Sequence, residues 1–172
     1  RQRRRALTKI ERQQAALKLR NTLRQFDHFQ ASQHIAVYLT NDGEIDTSVF
    51  IRDLKLRGKT LYLPVLHPLK KGYMQFLLWN KQTPMRRNRY GISEPIFGRS
   101  RAIPPRFLQL VCMPLVAFDQ DGNRLGMGGG FYDRTFAFMH KPGNKPTLLG
   151  CAYELQRVAA LPIEEWDIPT RA

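Results

Sequence analysis

Hydrophobic and polar positions follow two different periods along the chain. From residue 8 to residue 26 apolar side chains recur with the spacing of an amphipathic helix, and Thr8 and Glu11 open it as a capping box. Short, almost continuous apolar runs follow, bounded by turn residues, as is typical of buried strands. The pattern predicts helices over 8–26, 48–56, 131–140 and 155–160, strands over 35–40, 60–66, 75–79, 110–118 and 147–153, and a loop over 83–101.

Strands and helices alternate in this order, which is typical of α/β proteins. We therefore predict a three-layer α/β/α sandwich with a mostly parallel sheet, formed by a single domain over residues 1–172. Between the first two strands, Asp46 or Thr47 is expected to cap the helix and Gly58 to end it. A crossover of this kind is right-handed in nearly all parallel sheets.

Composition narrows the class of protein. A hydrophobic content of 42% with 10% aromatic residues excludes a disordered chain, and the longest apolar run, 110–118, is too short to cross a bilayer. Cys112 and Cys151 lie in apolar segments, as expected for buried thiols kept reduced in the cytoplasm. The four histidines show no metal-binding spacing.

The formal charge of +14 is unusual for a chain of this length. A basic surface can neutralise the phosphates of nucleic acid, steer small polyanions into a cleft, or serve no purpose beyond solubility. No zinc-finger spacing, aromatic RNA-binding motif or basic zipper accompanies the charge, so nucleic acid is not the expected partner. The basic cluster at residues 1–5 is expected to be a solvated helix end.

The clearest candidate for chemistry is residues 124–134, R-L-G-M-G-G-G-F-Y-D-R, with four glycines within five positions. Glycine allows the backbone to approach a ligand closely, and successive backbone N–H groups form a concavity that binds anions. The carboxylate of Asp133 is a suitable oxygen ligand for Mg²⁺. A strand, a glycine loop, a helix, arginine and a carboxylate together predict a site for a nucleotide phosphate and its metal ion.

Other interpretations of this part of the chain stay open on the residues alone. The loop lacks the Gly-Lys-Ser/Thr of a P-loop and the third glycine of the dinucleotide fingerprint, so a purely structural tight turn is an equal alternative. Residues 119–122 read D-x-D-G, but the remaining ligands of an EF-hand are missing. We expect 119–123 to be a turn.

Residues 124–134, preceded by P-L-V-A-F-D at 114–119, resemble the signature of the 5-formyltetrahydrofolate cyclo-ligases, also called 5,10-methenyltetrahydrofolate synthetases. Segments 37–47, 57–65, 91–95 and 161–169 resemble further motifs of this family in the same order. The resemblance thus spans nearly the whole chain. It implies that a few residues are missing at both ends, among them a Lys-x-x-x-Arg upstream of Arg1 that contacts the phosphates of ATP.

The resemblance implies an enzyme that uses ATP and Mg²⁺ to cyclise 5-formyltetrahydrofolate to 5,10-methenyltetrahydrofolate, with phosphorylation of the formyl oxygen and release of ADP and phosphate. The implied catalytic residues are Arg124 and Asp133, and the implied metal ligands are Asp133 and Asp167. The implied ATP-binding residues are Arg124, Leu125, Gly126, Met127, Gly128, Gly129, Gly130, Phe131 and Tyr132. The implied substrate-binding residues are Leu39, Glu44, Met127, Gly128, Gly129, Gly130 and Phe131. We expect a cytoplasmic monomer whose partner is this folate, with or without a polyglutamate tail.

Several alternatives compete with that interpretation. Sugar-phosphate isomerases and acyl-CoA transferases share similar three-layer architecture, and fold alone does not separate them from a cyclo-ligase. A basic RNA- or DNA-binding module is the non-enzymatic alternative. Without the resemblance, Glu44 would be a solvent-facing turn carboxylate, and Tyr132 and Trp79 would be core aromatics. Arg86, Arg87 and Arg89 either lie in a solvated loop or face the glutamate tail of a folate.

Overall fold

The computed structural model describes residues 1–170, and ten strands lie within this range. They are β1 (His34–Ala36), β2 (Thr60–Leu66), β3 (Met74–Leu78), β4 (Met85–Arg87), β5 (Ser93–Pro95), β6 (Ala102–Ile103), β7 (Leu110–Pro114), β8 (Ala117–Phe118), β9 (Arg124–Leu125) and β10 (Thr147–Cys151). The central sheet has six strands in the order β10-β7-β1-β2-β3-β6. Strands β4 with β5, and β8 with β9, form two separate antiparallel pairs.

Five α-helices connect these strands in the described part of the chain. They are α1 (Gln2–Arg5), α2 (Lys9–Arg24), α3 (Asp27–Ala31), α4 (Ser48–Leu56) and α5 (Phe131–Phe136). Short 3₁₀ turns cover Pro105–Phe107, Ala137–His140 and Glu154–Gln156. The predicted capping box of α2 is present, with the Glu11 carboxylate accepting from the Thr8 backbone N–H at 2.7 Å. At α4 the Asp46 carboxylate accepts from the Ser48 N–H at 2.8 Å.

The central sheet is parallel in its larger part. Strand β1 pairs in parallel with β2 on one side and β7 on the other, and β10 pairs in parallel with β7. Strands β3 and β6 complete the sheet in antiparallel orientation. The predicted α/β fold with a mostly parallel sheet is therefore confirmed.

Side chains alternate between the two faces of the sheet, so one strand supplies both cores. In β1, Ile35 belongs to the core packed under α2, α3 and α4, whereas Ala36 belongs to the core packed under α5. Phe50 of α4 and Phe136 of α5 are fully buried, one on each face. Burial of each such side chain stabilises the fold by about 1.5–3 kcal/mol. The helices thus cover both faces, which gives the three predicted layers.

The predicted loop over 83–101 was wrong in part, because β4 and β5 form a hairpin there. This hairpin buries Glu94 and Pro95, and the Glu94 carboxylate pairs with Arg86 at 3.0 Å and accepts from the Asn88 amide at 3.1 Å. A strand that buries a paired charge shows no apolar alternation, so the sequence pattern did not reveal it.

Several other predicted elements were too long. The strand over 35–40 ends at Ala36, and the strand over 147–153 ends at Cys151. The strand over 110–118 ends at Pro114, and the chain then turns away so that the Val116 N–H donates to the Leu125 carbonyl at 2.7 Å. The helix over 131–140 tightens to a 3₁₀ turn after Phe136. The helix over 155–160 is only one 3₁₀ turn, because the Val158 N–H donates to the Phe118 carbonyl at 2.9 Å instead.

Cys112 and Cys151 are both buried and not joined by a disulfide, as predicted. Trp79 packs at the edge of the core beside α4, with the Lys55 ammonium 3.6 Å from its ring centroid. Within residues 1–170 no helix is both long and apolar enough to cross a bilayer.

Candidate active site

The carboxyl ends of β1 and β7 lie side by side, and the N-terminal arginines cover them. The guanidinium of Arg4 donates to the Leu115 carbonyl after β7 and to the Asp42 carbonyl after β1, both at 3.0 Å. Arg4 is only 2% exposed. The expectation that residues 1–5 form a solvated helix end is therefore wrong for Arg4, which joins the ends of two neighbouring strands.

Asp42 is the centre of an ion-pair cluster at this edge. Its carboxylate pairs with Arg1 and Arg5, and with Arg4 at 3.3 Å. The hydrogen bond from Arg1 is the largest cause that lowers the pKa of the Asp42 carboxyl to about 2. Asp42 therefore stays ionised, and fixes α1 over the strand ends, at every pH at which the protein is expected to work.

Replacing Asp42 by Asn is expected to lower the Tm at pH 7, with a difference from wild type that vanishes in acid. The folded pKa is depressed to about 2, whereas an unfolded Asp titrates near pH 3.9. The stabilisation is therefore present above about pH 4 and is lost as the pH falls through about 2. Thermal melts of both proteins between pH 7 and pH 2 measure this.

Asn tolerates the positive φ of 51° at this position, so backbone strain is not the cause. Asp121→Asn is the matched control, because that carboxylate makes no ion pair within residues 1–170. A difference in Tm between wild type and the Asp42 variant that is the same at pH 7 and pH 2 would contradict the assignment.

The glycine loop lies between β9 and α5 and leaves its amides open. None of the backbone N–H groups of residues 126–130 donates a hydrogen bond to any acceptor in the described part of the chain. Gly128 and Gly130 have φ of +80° and +58°, in the left-handed region that favours glycine. The guanidinium of Arg134 donates to the carbonyls of Gly129 and, at 2.9 Å, of Gly72, and so fixes the loop.

The loop borders a cavity of about 520 Å³, here called the loop cavity. The predicted site residues that line it are Arg124, Leu125, Gly126, Gly128, Gly130, Asp133 and Asp167. The volume falls within the usual range for small-molecule sites. The fold therefore brings a C-terminal carboxylate next to the glycine loop, as the resemblance implied.

Arg124 carries an unused hydrogen-bond donor at this cavity. Its Nη2 donates to Asp133 Oδ1 at 2.6 Å, and its side chain is 6% exposed. The buried Nε–H has no partner among the described residues. A buried donor without an acceptor costs about 1–3 kcal/mol. An anionic ligand in the loop cavity would supply that acceptor.

The two carboxylates fit the coordination habits of Mg²⁺. Asp133 Oδ1 accepts from Arg124, and Asp167 Oδ2 accepts from the Glu164 N–H at 2.9 Å, while the second oxygen of each carboxylate has no hydrogen bond within residues 1–170. No group of three or more His, Cys, Asp or Glu side chains could hold a metal ion in the described part of the chain. Mg²⁺ typically takes one or two carboxylates and completes its shell with substrate phosphates and water.

Asp119, in the turn between β8 and β9, is a structural residue. Its buried carboxylate accepts from the N–H groups of Asp121 at 3.1 Å, Asn123 at 3.0 Å and Leu161 at 3.0 Å. The side-chain amide of Asn123 is the largest cause that lowers the pKa of Asp119. The expected turn at 119–123 is confirmed, and the bond to Leu161 also holds the C-terminal segment beside the loop.

Glu44 lies in the turn after β1, where its carboxylate accepts from the Asn41 N–H at 3.0 Å. Burial raises the pKa of the Glu44 carboxyl, partly opposed by the Asn41 N–H and by Arg4, whose nearest nitrogen is 3.9 Å away. Burial also raises the pKa of Tyr132, and the negative charge of Glu44 raises it further. Glu44 is thus a partly buried carboxylate whose negative charge acts on Tyr132 of α5.

Other predicted binding residues do not line the loop cavity. Leu39 lines a separate groove with Trp79 beside α4. Phe131 lines a pocket with Arg86, Arg87 and Arg89, and Tyr132 stacks on Phe136 in the core. Met127 is 63% exposed. Sequence reasoning missed the contacts of Arg4 and Arg134 and the position of Trp166 at the cavity rim, since each depends on residues distant in sequence.

Known proteins are similar to this chain over its whole length. A model of the 5-formyltetrahydrofolate cyclo-ligase family matches residues 1–172. The 5-formyltetrahydrofolate cyclo-ligase of Haemophilus influenzae is 42% identical over 163 residues, 95% of this chain and 86% of that protein. Its counterpart in Escherichia coli strain K12 is 42% identical over 172 residues, 100% of this chain and 93% of that protein.

A solved structure agrees with these sequences. The NMR structure of 5,10-methenyltetrahydrofolate synthetase from Aquifex aeolicus superposes with a TM-score of 0.79 at 29% identity, over 98% of this chain and 81% of that one. The fold, the glycine loop with its open amides and the paired Arg124 and Asp133 thus occur in a chain that matches one enzyme family throughout. The chain belongs to the 5-formyltetrahydrofolate cyclo-ligase family and is an enzyme.

Proposed function

We propose that this enzyme uses ATP and Mg²⁺ to convert 5-formyltetrahydrofolate to 5,10-methenyltetrahydrofolate, ADP and phosphate. The observation that carries the proposal is the row of unpaired backbone N–H groups at residues 126–130, beside the unpaired Nε–H of Arg124. Together these donors form a positive concavity suited to a polyphosphate. Buried cysteines in the reduced state favour the cytoplasm as its location. We expect a monomer.

The reaction needs no nucleophile from the protein. The formyl oxygen of the substrate attacks the γ-phosphorus of ATP and ADP leaves, N10 then closes onto the activated formyl carbon, and phosphate departs with the original formyl oxygen. The task of the protein is to align two reactants and to neutralise spreading negative charge. The N–H groups of 126–130 and the guanidinium of Arg124 are placed to do so.

Mg²⁺, when bound, would neutralise charge on the phosphate oxygens. Asp133 and Asp167 would hold it through their free carboxylate oxygens. The pairing of Arg124 with Asp133 at 2.6 Å orients both side chains toward the loop cavity. In this proposal one fixed cation and one pair of metal ligands act on the same ligand phosphates.

The folate is proposed to bind on the side of the loop that faces Glu44. Leu39 and Glu44 follow β1 of the central sheet, at whose carboxyl end α/β proteins bind ligands, and residues 127–131 follow β9 of the separate β8–β9 pair. The Glu44 side chain is 13% exposed and its nearest cationic nitrogen, on Arg4, is 3.9 Å away, so its charge lacks close compensation. Hydrogen-bond donors of a pterin ring would supply that compensation.

Asp133→Asn and Asp167→Asn are each expected to raise the Mg²⁺ concentration needed for half-maximal turnover by about tenfold or more. At other metal sites, loss of a residue that only hydrogen-bonds to a metal ligand already has an effect of this size. An amide oxygen is a weaker ligand for a hard cation than a carboxylate. Titration of turnover with Mg²⁺ measures this. Asp121→Asn, which changes a nearby exposed carboxylate, is the control, and an equal response in all three variants would contradict the assignment.

The direct test of the proposed function is the absorbance of the methenyl product. Full-length protein is mixed with 5-formyltetrahydrofolate, and the chromophore is followed with Mg·ATP, with ATP and a chelator, and without nucleotide. We expect the absorbance of the product to rise only with Mg·ATP, and one phosphate to be released for each methenyl product formed. Growth that does not depend on ATP, or no growth in any mixture, would overturn the proposal.

A further inference from the structure

An exposed indole stands at the rim of the loop cavity. Trp166 is 65% exposed and lines this cavity together with Leu125 and the glycines. Within residues 1–170 no other ring and no cation lies over it. By contrast, Trp79 is covered by the Lys55 ammonium at 3.6 Å, and Tyr90 by the guanidinium of Arg89 at 4.9 Å.

The segment that carries this indole is fixed at both ends. Before it, the Leu161 N–H donates to the Asp119 carboxylate at 3.0 Å, and after it, the Ile168 N–H donates to Asp133 Oδ1 at 3.3 Å. Between these points the Glu164 and Asp167 backbones close a turn at 3.0 Å. Trp166 is therefore presented by a fixed strap and not by a loose chain end.

The two sides of the cavity differ in chemistry. One side offers unpaired N–H groups and the buried Arg124, which bind an anion, while the rim offers an uncovered aromatic face. A ligand that contacts both sides of the cavity needs a polyphosphate and a flat aromatic ring in the same small molecule. A nucleotide has both groups. An aromatic side chain accepts any base by stacking, so it adds affinity more than selectivity.

We propose that Trp166 stacks on the base of the nucleotide whose phosphates lie on the glycine loop. This assignment rests on the proposed use of ATP and adds the residue that binds its base. Asp167, next in sequence, lines the same cavity, so one fixed strap carries both the proposed base contact and the proposed metal ligand.

Intrinsic fluorescence tests the contact, because the chain contains only two tryptophans. Trp79→Phe leaves Trp166 as the sole tryptophan fluorophore, and Trp166→Phe leaves Trp79. ATP is expected to quench the emission of Trp79→Phe and to leave that of Trp166→Phe unchanged. Tripolyphosphate, which has the charge of ATP without its base, is expected to quench neither. Quenching by ATP that is confined to Trp166→Phe, or absent from Trp79→Phe, would overturn the assignment.

Kinetics give a second, independent test. Trp166→Ala is expected to raise the KM for ATP by roughly 10- to 100-fold, as loss of one stacked base does elsewhere. Trp166→Phe is expected to keep most of the affinity for ATP. In both variants the KM for the folate is expected to stay within about twofold of wild type. An unchanged KM for ATP in Trp166→Ala, with active wild type, would overturn this inference alone. Inactive wild type would instead contradict the proposed function, and the fluorescence measurement would still decide the role of Trp166.

Discussion

Arg124→Ala is expected to lower kcat by about 10²–10³-fold, the loss that follows removal of one preorganised donor from a transition state. The guanidinium is buried at the loop cavity, where its charge is poorly screened by water. Its buried Nε–H has no acceptor among the described residues. Formation of the methenyl chromophore at saturating ATP and folate measures the loss.

Two control variants separate catalysis from stability. Arg124→Lys keeps a cation for Asp133 but loses the second, fixed N–H of the guanidinium, so its Tm is expected near that of wild type while kcat stays low. Arg24→Ala is a control on α2, away from the glycine loop. It removes the hydrogen bond that Arg24 Nε donates to the Asp53 carboxylate at 3.0 Å. That variant is expected to melt earlier with normal kcat. Wild-type turnover in Arg124→Ala would refute the proposed role.

Elements with strong local signals were predicted well from the sequence. The strand over 60–66 and the helix over 48–56 were found with the predicted bounds. The strand is an almost continuous apolar run, and at the start of the helix the Asp46 carboxylate accepts from the Ser48 N–H, while a glycine with φ of +69° follows the end of the helix. Such segments specify their structure through neighbours in the chain, so periodicity is sufficient to find them.

Contacts between distant segments were not predictable in the same way. Arg4 lies in a basic run that resembles a solvated surface, yet its partner is a carbonyl 111 residues away in sequence. Glu94 is buried because Arg86 reaches it across a hairpin. In both cases a charged residue occupies an interior position, and hydrophobicity alone predicts that it lies outside.

The candidate site combines both kinds of information. The glycine loop and Asp133 lie within eleven residues, so their proximity could be predicted from the sequence. The predicted metal ligand Asp167 joins them only because the C-terminal strap is tied to Asp119 and Asp133. The structure brings Asp167 to the predicted cavity, and its role as a metal ligand stays a prediction that the Mg²⁺ titration tests.

Gly128→Val is expected to abolish ATP binding while the protein stays folded. The φ of Gly128 is +80°, which a β-branched residue resists at a cost of about 1–2 kcal/mol. A Cβ at this position meets no atom within 4 Å, so the fold itself has room for the side chain. The space that the valine would fill is the loop cavity, where the triphosphate is proposed to lie. Calorimetric titration with ATP measures the loss.

Gly58→Val is the matched control, because it separates strain from occlusion. Gly58 has a φ of +69°, and a Cβ added there also meets no atom within 4 Å, but this glycine ends α4, away from the loop. Both variants are expected to lose a similar amount of Tm, since the backbone conformation is the same. Only Gly128→Val is expected to lose ATP. Normal binding in Gly128→Val would show that the glycines serve a structural turn, and equal loss in both variants would show that strain, and not contact with phosphate, controls binding.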